Sequence, residues 1–167
     1  MPLVYIALGA NLSNPKETFS LAVQSLEQAG VQVQAVSGLW QSPAWPAGSG
    51  QPDYINACAK LSYAGRATEL LVLLQRIEAQ YGRVRGARNA ARTLDLDILD
   101  FGGGIVKTPD LELPHPRMLS RGFVLFPLAE IAPRWVDPVS SIAISDWIAR
   151  LPLNDVAPMQ RLGAWHL

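Results

Sequence analysis

The chain has 167 residues, 49% of them hydrophobic, which is enough to bury a core and too apolar for disorder. Lys plus Arg and Asp plus Glu number 14 each, and that zero balance argues against wholesale coating of nucleic acid or anionic membrane. A lone cysteine, Cys58, excludes an internal disulfide framework, and with two histidines it leaves too few soft ligands for an ordinary structural zinc site.

Leu3 to Leu8 is a short apolar run ended by Gly9 and reads as a strand buried on both faces. No basic leader precedes it, so a secretory signal is not expected and a cytoplasmic protein is. Ser13-Asn14-Pro15 reads as a helix start, Phe19, Val23 and Leu26 follow at helical spacing, and Gly30 ends the helix. Residues from Val31 to about Trp40 alternate as a half-exposed strand. The uncharged stretch 28–52 is too rich in Gly, Pro and Gln to span a membrane. Ser42 to Asp53 reads as a long loop, a kind that is usually functional or disordered. Tyr54 to Tyr63 returns to strand. Thr68 is the expected cap of an amphipathic helix carrying Leu70, Leu71, Leu74, Ile77, Ala79 and Tyr81, stopped by Gly82. Arg83 to Arg92 is polar and irregular. Leu94 to Phe101 is the sharpest strand, Gly102-Gly103-Gly104 a turn, and Ile105-Val106 a candidate return strand. Arg121 to Ile131 and Ser145 to Leu151 read as helices, and the last dozen or so residues show weak periodicity. The order β-α-β-β-α-β is the split-βαβ arrangement. It implies an α+β, ferredoxin-like sandwich, with a mainly antiparallel sheet and helices on one face, as a single unit over 1–167.

The chemistry concentrates in Arg92-Thr93-Leu94-Asp95-Leu96-Asp97-Ile98-Leu99-Asp100. Alternation puts Asp95 and Asp97 on one face and Leu94, Leu96 and Ile98 on the other. Asp100 is read in phase with Asp97 unless the strand bends near the glycine run. Two carboxylates this close repel unless a cation lies between them, and hard oxygen ligands suit Mg²⁺ with substrate phosphates. An ordinary solvated acidic face is the competing reading. The preceding block changes the balance. From Arg76 to Arg92 there are five Arg against one Glu, and from Asp95 to Glu112 five acids against one Lys, so +4 is followed at once by −4. Guanidinium groups match phosphate oxygens in planar pairs. Surface salt bridges between the two blocks would be worth little. No Walker ending follows Gly9-Ala10-Asn11, so this is not a P-loop kinase.

Several segments in order resemble the 6-hydroxymethyl-7,8-dihydropterin pyrophosphokinase family. They are Tyr5 to Leu12, Gln51 to Ala57, Gln75-Arg76-Ile77-Glu78 with Gly82 to Arg85, Arg92 to Ile98, Pro114-His115-Pro116-Arg117-Met118 and Arg121 to Leu125. Together they run from the N-terminus to about residue 133, a span of about four-fifths of the chain. The resemblance implies a ferredoxin-like fold and transfer of diphosphate from ATP to the pterin hydroxymethyl group, releasing AMP in folate biosynthesis. It implies that Asp95 and Asp97 hold two Mg²⁺ ions and that Arg83 and Arg92 bind phosphate. It places Gln75, Glu78, Arg85, Ile98, His115 and Arg121 around ATP. On the pterin side it places Tyr54 and Phe123 as stacking rings and Asn56 on the polar edge, with Ser42, Pro43 and Trp45 from the long loop. It implies small-molecule partners only, no nucleic acid, no membrane, and a monomer.

The pattern departs from the family in places. Many members carry Arg-Trp-Gly-Pro where this chain has Arg88-Asn89-Ala90-Ala91, and positions 110 and 112 are Asp and Glu where some members carry Arg and Thr. Three rivals compete: a non-catalytic paralogue, a ferredoxin-like RNA-binding domain and a metal-dependent phosphohydrolase. Retention of both Asp95 and Asp97 argues against the first. Zero net charge without interleaved aromatics argues against the second. The Tyr54, Asn56 and Phe123 set favours a pterin acceptor over water.

Overall fold

The computed structural model describes residues 1–11, 14–43, 53–82 and 94–165. In chain order the elements are β1 (Leu3–Ala10), α1 (Pro15–Gln28), β2 (Gln32–Val36), β3 (Leu39–Ser42), β4 (Tyr54–Ser62), α2 (Ala67–Tyr81) and β5 (Asp95–Phe101). They continue with β6 (Val106–Lys107), β7 (Glu112–Leu113), a 3-10 turn (Met118–Ser120), α3 (Gly122–Ile131), α4 (Ile144–Ala149), α5 (Leu153–Val156) and β8 (Gln160–Gly163). The main sheet runs β5-β1-β4-β3-β8, and β2 also pairs with β4. Every pairing among its strands is antiparallel. This is the α+β, ferredoxin-like order read from the sequence, with β1 and β4 at the centre.

The local chemistry explains most boundaries. Asn14 caps α1 by accepting the Glu17 N–H at 3.3 Å, and Pro15 sits in the first turn, where a missing N–H costs nothing. In α2 the expected cap, Thr68, lies inside the helix. The cap is Arg66, whose N–H donates to the Glu69 carboxylate at 3.2 Å. A side chain three residues on thus satisfies the turn from the other direction. The strand expected from Val31 to Trp40 divides into β2 and β3 at Ser37 and Gly38. Gly38 has no room for a Cβ, which would lie 2.6 Å from the Arg161 guanidinium. The expected return strand at Ile105-Val106 does not pair with β5. Instead β6 pairs with β7, because Thr108 and Leu111 close the turn between them.

Helices cover both faces of the sheet, not one. On one face Val4, Ile6 and Leu8 of β1 pack with Phe19 and Leu26 of α1 and with Leu70 and Leu74 of α2. On the other, Cys58 and Leu99 pack with Met118, Leu125, Leu128 and Trp135. The reason is α3, whose sequence Gly-Phe-Val-Leu-Phe-Pro-Leu-Ala-Glu-Ile is apolar nearly all round and must be covered. Tyr5 and Ala7 provide the cover, so β1 is half-buried on that side rather than fully buried on both. Among the described residues no helix is long and apolar enough to cross a membrane.

Candidate active site

The sheet register assembles the polar residues that the sequence scatters. Asn56 of β4 lies opposite Gly9 of β1, and Gly9 lies opposite Asp95 of β5. Trp40 of β3 extends the same row from the far side of Asn56. One row on, Asp97 lies opposite Ala7. Directly opposed residues share a face, and Ala7 packs on the α3 side. Asn56, Asp95 and Asp97 therefore all face α3, with a side-chain-free floor at Gly9. Two strand spacings separate Asn56 from Asp95 by about 10 Å between Cα atoms. A Cβ on Gly9 would meet the Asn56 Oδ1 at 3.0 Å, so the glycine keeps both the floor and the amide in place. Asn56 is 8% exposed, and its Nδ2 has no partner among the described residues. A buried donor left unpaired costs free energy until a ligand acceptor meets it. Tyr54 is half-buried at the start of β4, two residues from Asn56 on the same face, and pairs with Ser42 in the register.

The edge of β5 supplies the second half. A cavity of about 260 Å³ is lined by Asp97, Ile98, Asp110, Glu112 and His115, with Leu71 from α2. His115 is half-buried, and its Nδ1 accepts the Arg117 N–H at 3.2 Å, which leaves the ring proton on Nε2 as the assigned tautomer. Burial holds the imidazole below its usual range. Asp97 and Glu112 pull it up, and Arg121 and Arg117 press it down. Arg121 is half-buried at the start of α3, and its guanidinium lies 5.5 Å from the Phe123 ring centroid. That contact ties a cation to one of the two expected stacking rings. Glu78 on α2 accepts the Leu96 N–H at 2.8 Å, so it fastens the helix to the carboxylate strand. Gln75 is exposed one turn earlier on α2.

The donor set fits the implied Mg²⁺. Asp95 is half-buried and Asp97 exposed, neighbours on one face of one strand. Among the described residues no group of three or more His, Cys, Asp or Glu side chains forms a metal cage. Two hard carboxylates suit a cation that completes its shell with phosphate oxygens and water.

Asp95, Asp97 and Asn56 are thus brought together across the sheet, while Ile98 and His115 share the cavity with Asp97. Ser42 is half-buried at the end of β3, and Pro43 is exposed beside it. Arg83, Arg85, Arg92 and Trp45 lie outside the described residues, as do Arg88 and Asn89. Sequence reading missed three features. In sequence Gly9 only ends the first apolar run and opens a motif, and its role as a floor appears once three strands are in register. Asp110 and Glu112, which the family resemblance marks only as departures at positions that serve the nucleotide, take their place in the cavity wall from the β6–β7 turn. Asn11 is 5% exposed, and its Oδ1 has no partner among the described residues. It follows Ala10 at the end of β1, close to the same floor.

Known proteins resemble this chain in sequence and in fold. The family model described as 7,8-dihydro-6-hydroxymethylpterin-pyrophosphokinase matches residues 5–133. A Synechocystis protein named 2-amino-4-hydroxy-6-hydroxymethyldihydropteridine pyrophosphokinase is 39% identical over 155 residues, covering 92% of this chain and 78% of its own. A Pseudomonas aeruginosa protein of the same name is 45% identical over 132 residues, covering 78% and 80% respectively. Among solved structures, Plasmodium falciparum HPPK-DHPS matches with a TM-score of 0.68 at 12% identity, which speaks to the fold alone. That match covers 90% of this chain, which spans only 43% of the Plasmodium one. With the family model covering most of its length, this chain belongs to the 7,8-dihydro-6-hydroxymethylpterin-pyrophosphokinase family.

Proposed function

We infer that this chain transfers diphosphate from ATP to 6-hydroxymethyl-7,8-dihydropterin and releases AMP, a step of folate biosynthesis. The observation that carries the reading is the row Asn56–Gly9–Asp95, which sets a buried amide and a carboxylate about two strands apart on one face. In this reading the pterin's polar edge meets Asn56, its flat ring lies between Tyr54 and Phe123, and its hydroxymethyl arm crosses Gly9 toward Asp95. The arm's oxygen forms a bond to the β-phosphorus of ATP. The bond from that phosphorus to the oxygen bridging to the α-phosphate breaks, AMP leaves with that oxygen, and the hydroxyl proton is lost. Transfers of this type need positioning and charge neutralisation more than covalent help.

Asp95 and Asp97 would hold Mg²⁺, two ions in this proposal, supplying charge neutralisation on the triphosphate and a more acidic hydroxyl. Asp97 and His115 hold the nucleotide end at the cavity, with the His115 Nε2–H available to a phosphate oxygen. Ile98 and Gln75 border the same side, and Glu78 keeps β5 at its height on α2. Arg121 offers phosphate charge beside Phe123. Arg83, Arg85 and Arg92 carry phosphate in the family resemblance, and Ser42, Pro43 and Trp45 contribute from the loop at the pterin end. The chain is proposed to act as one unit over 1–167, as a cytoplasmic monomer with small-molecule partners. The test follows AMP after mixing purified protein with Mg-ATP and the hydroxymethyl dihydropterin. The expected result is AMP only when the pterin is present. ADP, or AMP released without pterin, would assign the site to hydrolysis.

A further inference from the structure

The strand that carries Asp97 is not regular. Ile6 lies opposite Ile98 and Tyr5 opposite Asp100, so Leu99 is an extra residue with no counterpart on β1. Strict alternation would turn Asp100 away from Asp97. The bulge returns it to the same face, since one added residue shifts the phase by one. Three hydrogen bonds occupy the irregularity. The carbonyl of Leu99 accepts the N–H of His115 at 2.9 Å. The Asp100 carboxylate is 6% exposed and accepts two bonds, from Gly103 N–H at 2.8 Å and from the Trp135 indole N–H at 2.8 Å. Trp135 is itself fixed, because its N–H donates to Ala132 and its carbonyl accepts from Ile144. It therefore joins the end of α3 and the start of α4 to β5.

We propose that Asp100 and Trp135 are positioning residues that lock the Leu99 bulge and thereby set His115 against Asp97 at the nucleotide end of the site. The proposal rests on the assignment of that end to ATP. A buried carboxylate with two N–H donors resists displacement, because freeing it would leave the buried carboxylate and the buried Trp135 indole N–H unpaired. The strand beyond Asp97 is then held from three sides: the Gly103 turn, Trp135 and the His115 loop. Neither residue touches substrate in this account, and the β4 residues of the pterin end, Tyr54 and Asn56, lie at the Asp95 end of the sheet rows, away from Asp100.

The test uses Trp135→Phe, which deletes one N–H and keeps a ring, and Asp100→Asn, which leaves one of the two donors unanswered. Each is expected to raise the KM for ATP about 10-fold, the usual cost when a support behind ligating residues is lost. The KM for the pterin should stay within twofold. Hydrogen exchange at the His115 amide should accelerate more than at Leu8 in β1, a comparison that separates local release from general loss of stability. Titration with Mg-ATP alone should show the same weakening, and it reads the clamp even if the wild-type protein makes no AMP. Folded variants with unchanged ATP affinity and His115 exchange, or with both KM values raised equally, would overturn the proposal.

Discussion

Gly9 shows how one missing side chain shapes the site. It lies between Asn56 and Asp95, and any Cβ there would press on the Asn56 amide. The substitution Gly9→Ala is expected to raise the KM for the pterin about tenfold and to leave ATP affinity unchanged, since a misplaced contact of well under an ångström is costly at a reacting centre. Steady-state kinetics with each substrate varied in turn will read the difference. At this scale the sequence was informative where side chains alternate. Asp95 and Asp97 were legible from a strand of period two, and Tyr54 and Asn56 from the same rule. Asp100 was also placed on the Asp97 face, but alternation was the wrong reason, because the Leu99 bulge does that work. A bulge leaves no mark in composition. It arises from the partner strand and from the Trp135 and His115 contacts, which are remote in sequence.

Among elements, α3 and β8 are fastened to β3 beside the proposed pterin end. Glu130 at the end of α3 accepts the Gly38 N–H at 2.7 Å, the Trp40 indole at 3.2 Å, and both the Nε and Nη2 of Arg161 on β8 at 3.0 and 3.1 Å. Burial pushes its carboxyl up, but the bonds from Arg161, Gly38 and Trp40 outweigh it and hold Glu130 below its ordinary value. Glu130→Ala is expected to cost about 1 kcal/mol, the usual worth of such hydrogen bonds at a solvent-facing site. A depressed carboxyl stabilises the fold above its unfolded value and loses that contribution as pH falls through its folded value. The gap in denaturation midpoint between parent and variant should therefore be full near neutral pH and shrink as pH drops below about 4.5, the ordinary value for this side chain. A gap that is constant from pH 7 to pH 3 would show that charge plays no part. Helices α1 to α4 and strands β1, β4 and β5 were readable from hydrophobic period, with α1 also from its capping residue, whereas α5 and the α2 cap were not. The edge strand β8 was not, because Gln160, Arg161 and Leu162 are exposed and carry no alternating pattern. The pairing of β6 with β7 was missed for a similar reason, since two-residue strands are too short to show a period.

For the molecule as a whole, the zero net charge conceals an uneven distribution. The acids that follow Asp95 in sequence do gather: Asp97, Asp110 and Glu112 border one cavity with His115. The arginine-rich segment 83–92, which carries the opposite sign, lies outside the described residues. The fold was legible because the β-α-β-β-α-β order admits few arrangements. The second helical layer was not, since it depends on α3 being apolar all round, which places cover on a sheet face that the strand pattern alone leaves undecided. The two layers meet the sheet from opposite sides; Asn56, Asp95 and Asp97 converge on the α3 side, and the cavity at the edge of β5 also takes Ile98 and Leu71 from the α2 side. In the proposed function the carboxylates of β5 form the reacting centre of this face. The most direct measurement is single-turnover AMP formation by Asp95→Ala and Asp97→Ala, with thermal denaturation run beside it. Both variants are expected to lose at least about 100-fold in rate, as when a metal site loses its ligand geometry, while the denaturation midpoint stays close to the parent. A folded variant of either residue that turns over at near-parent rate would contradict the account.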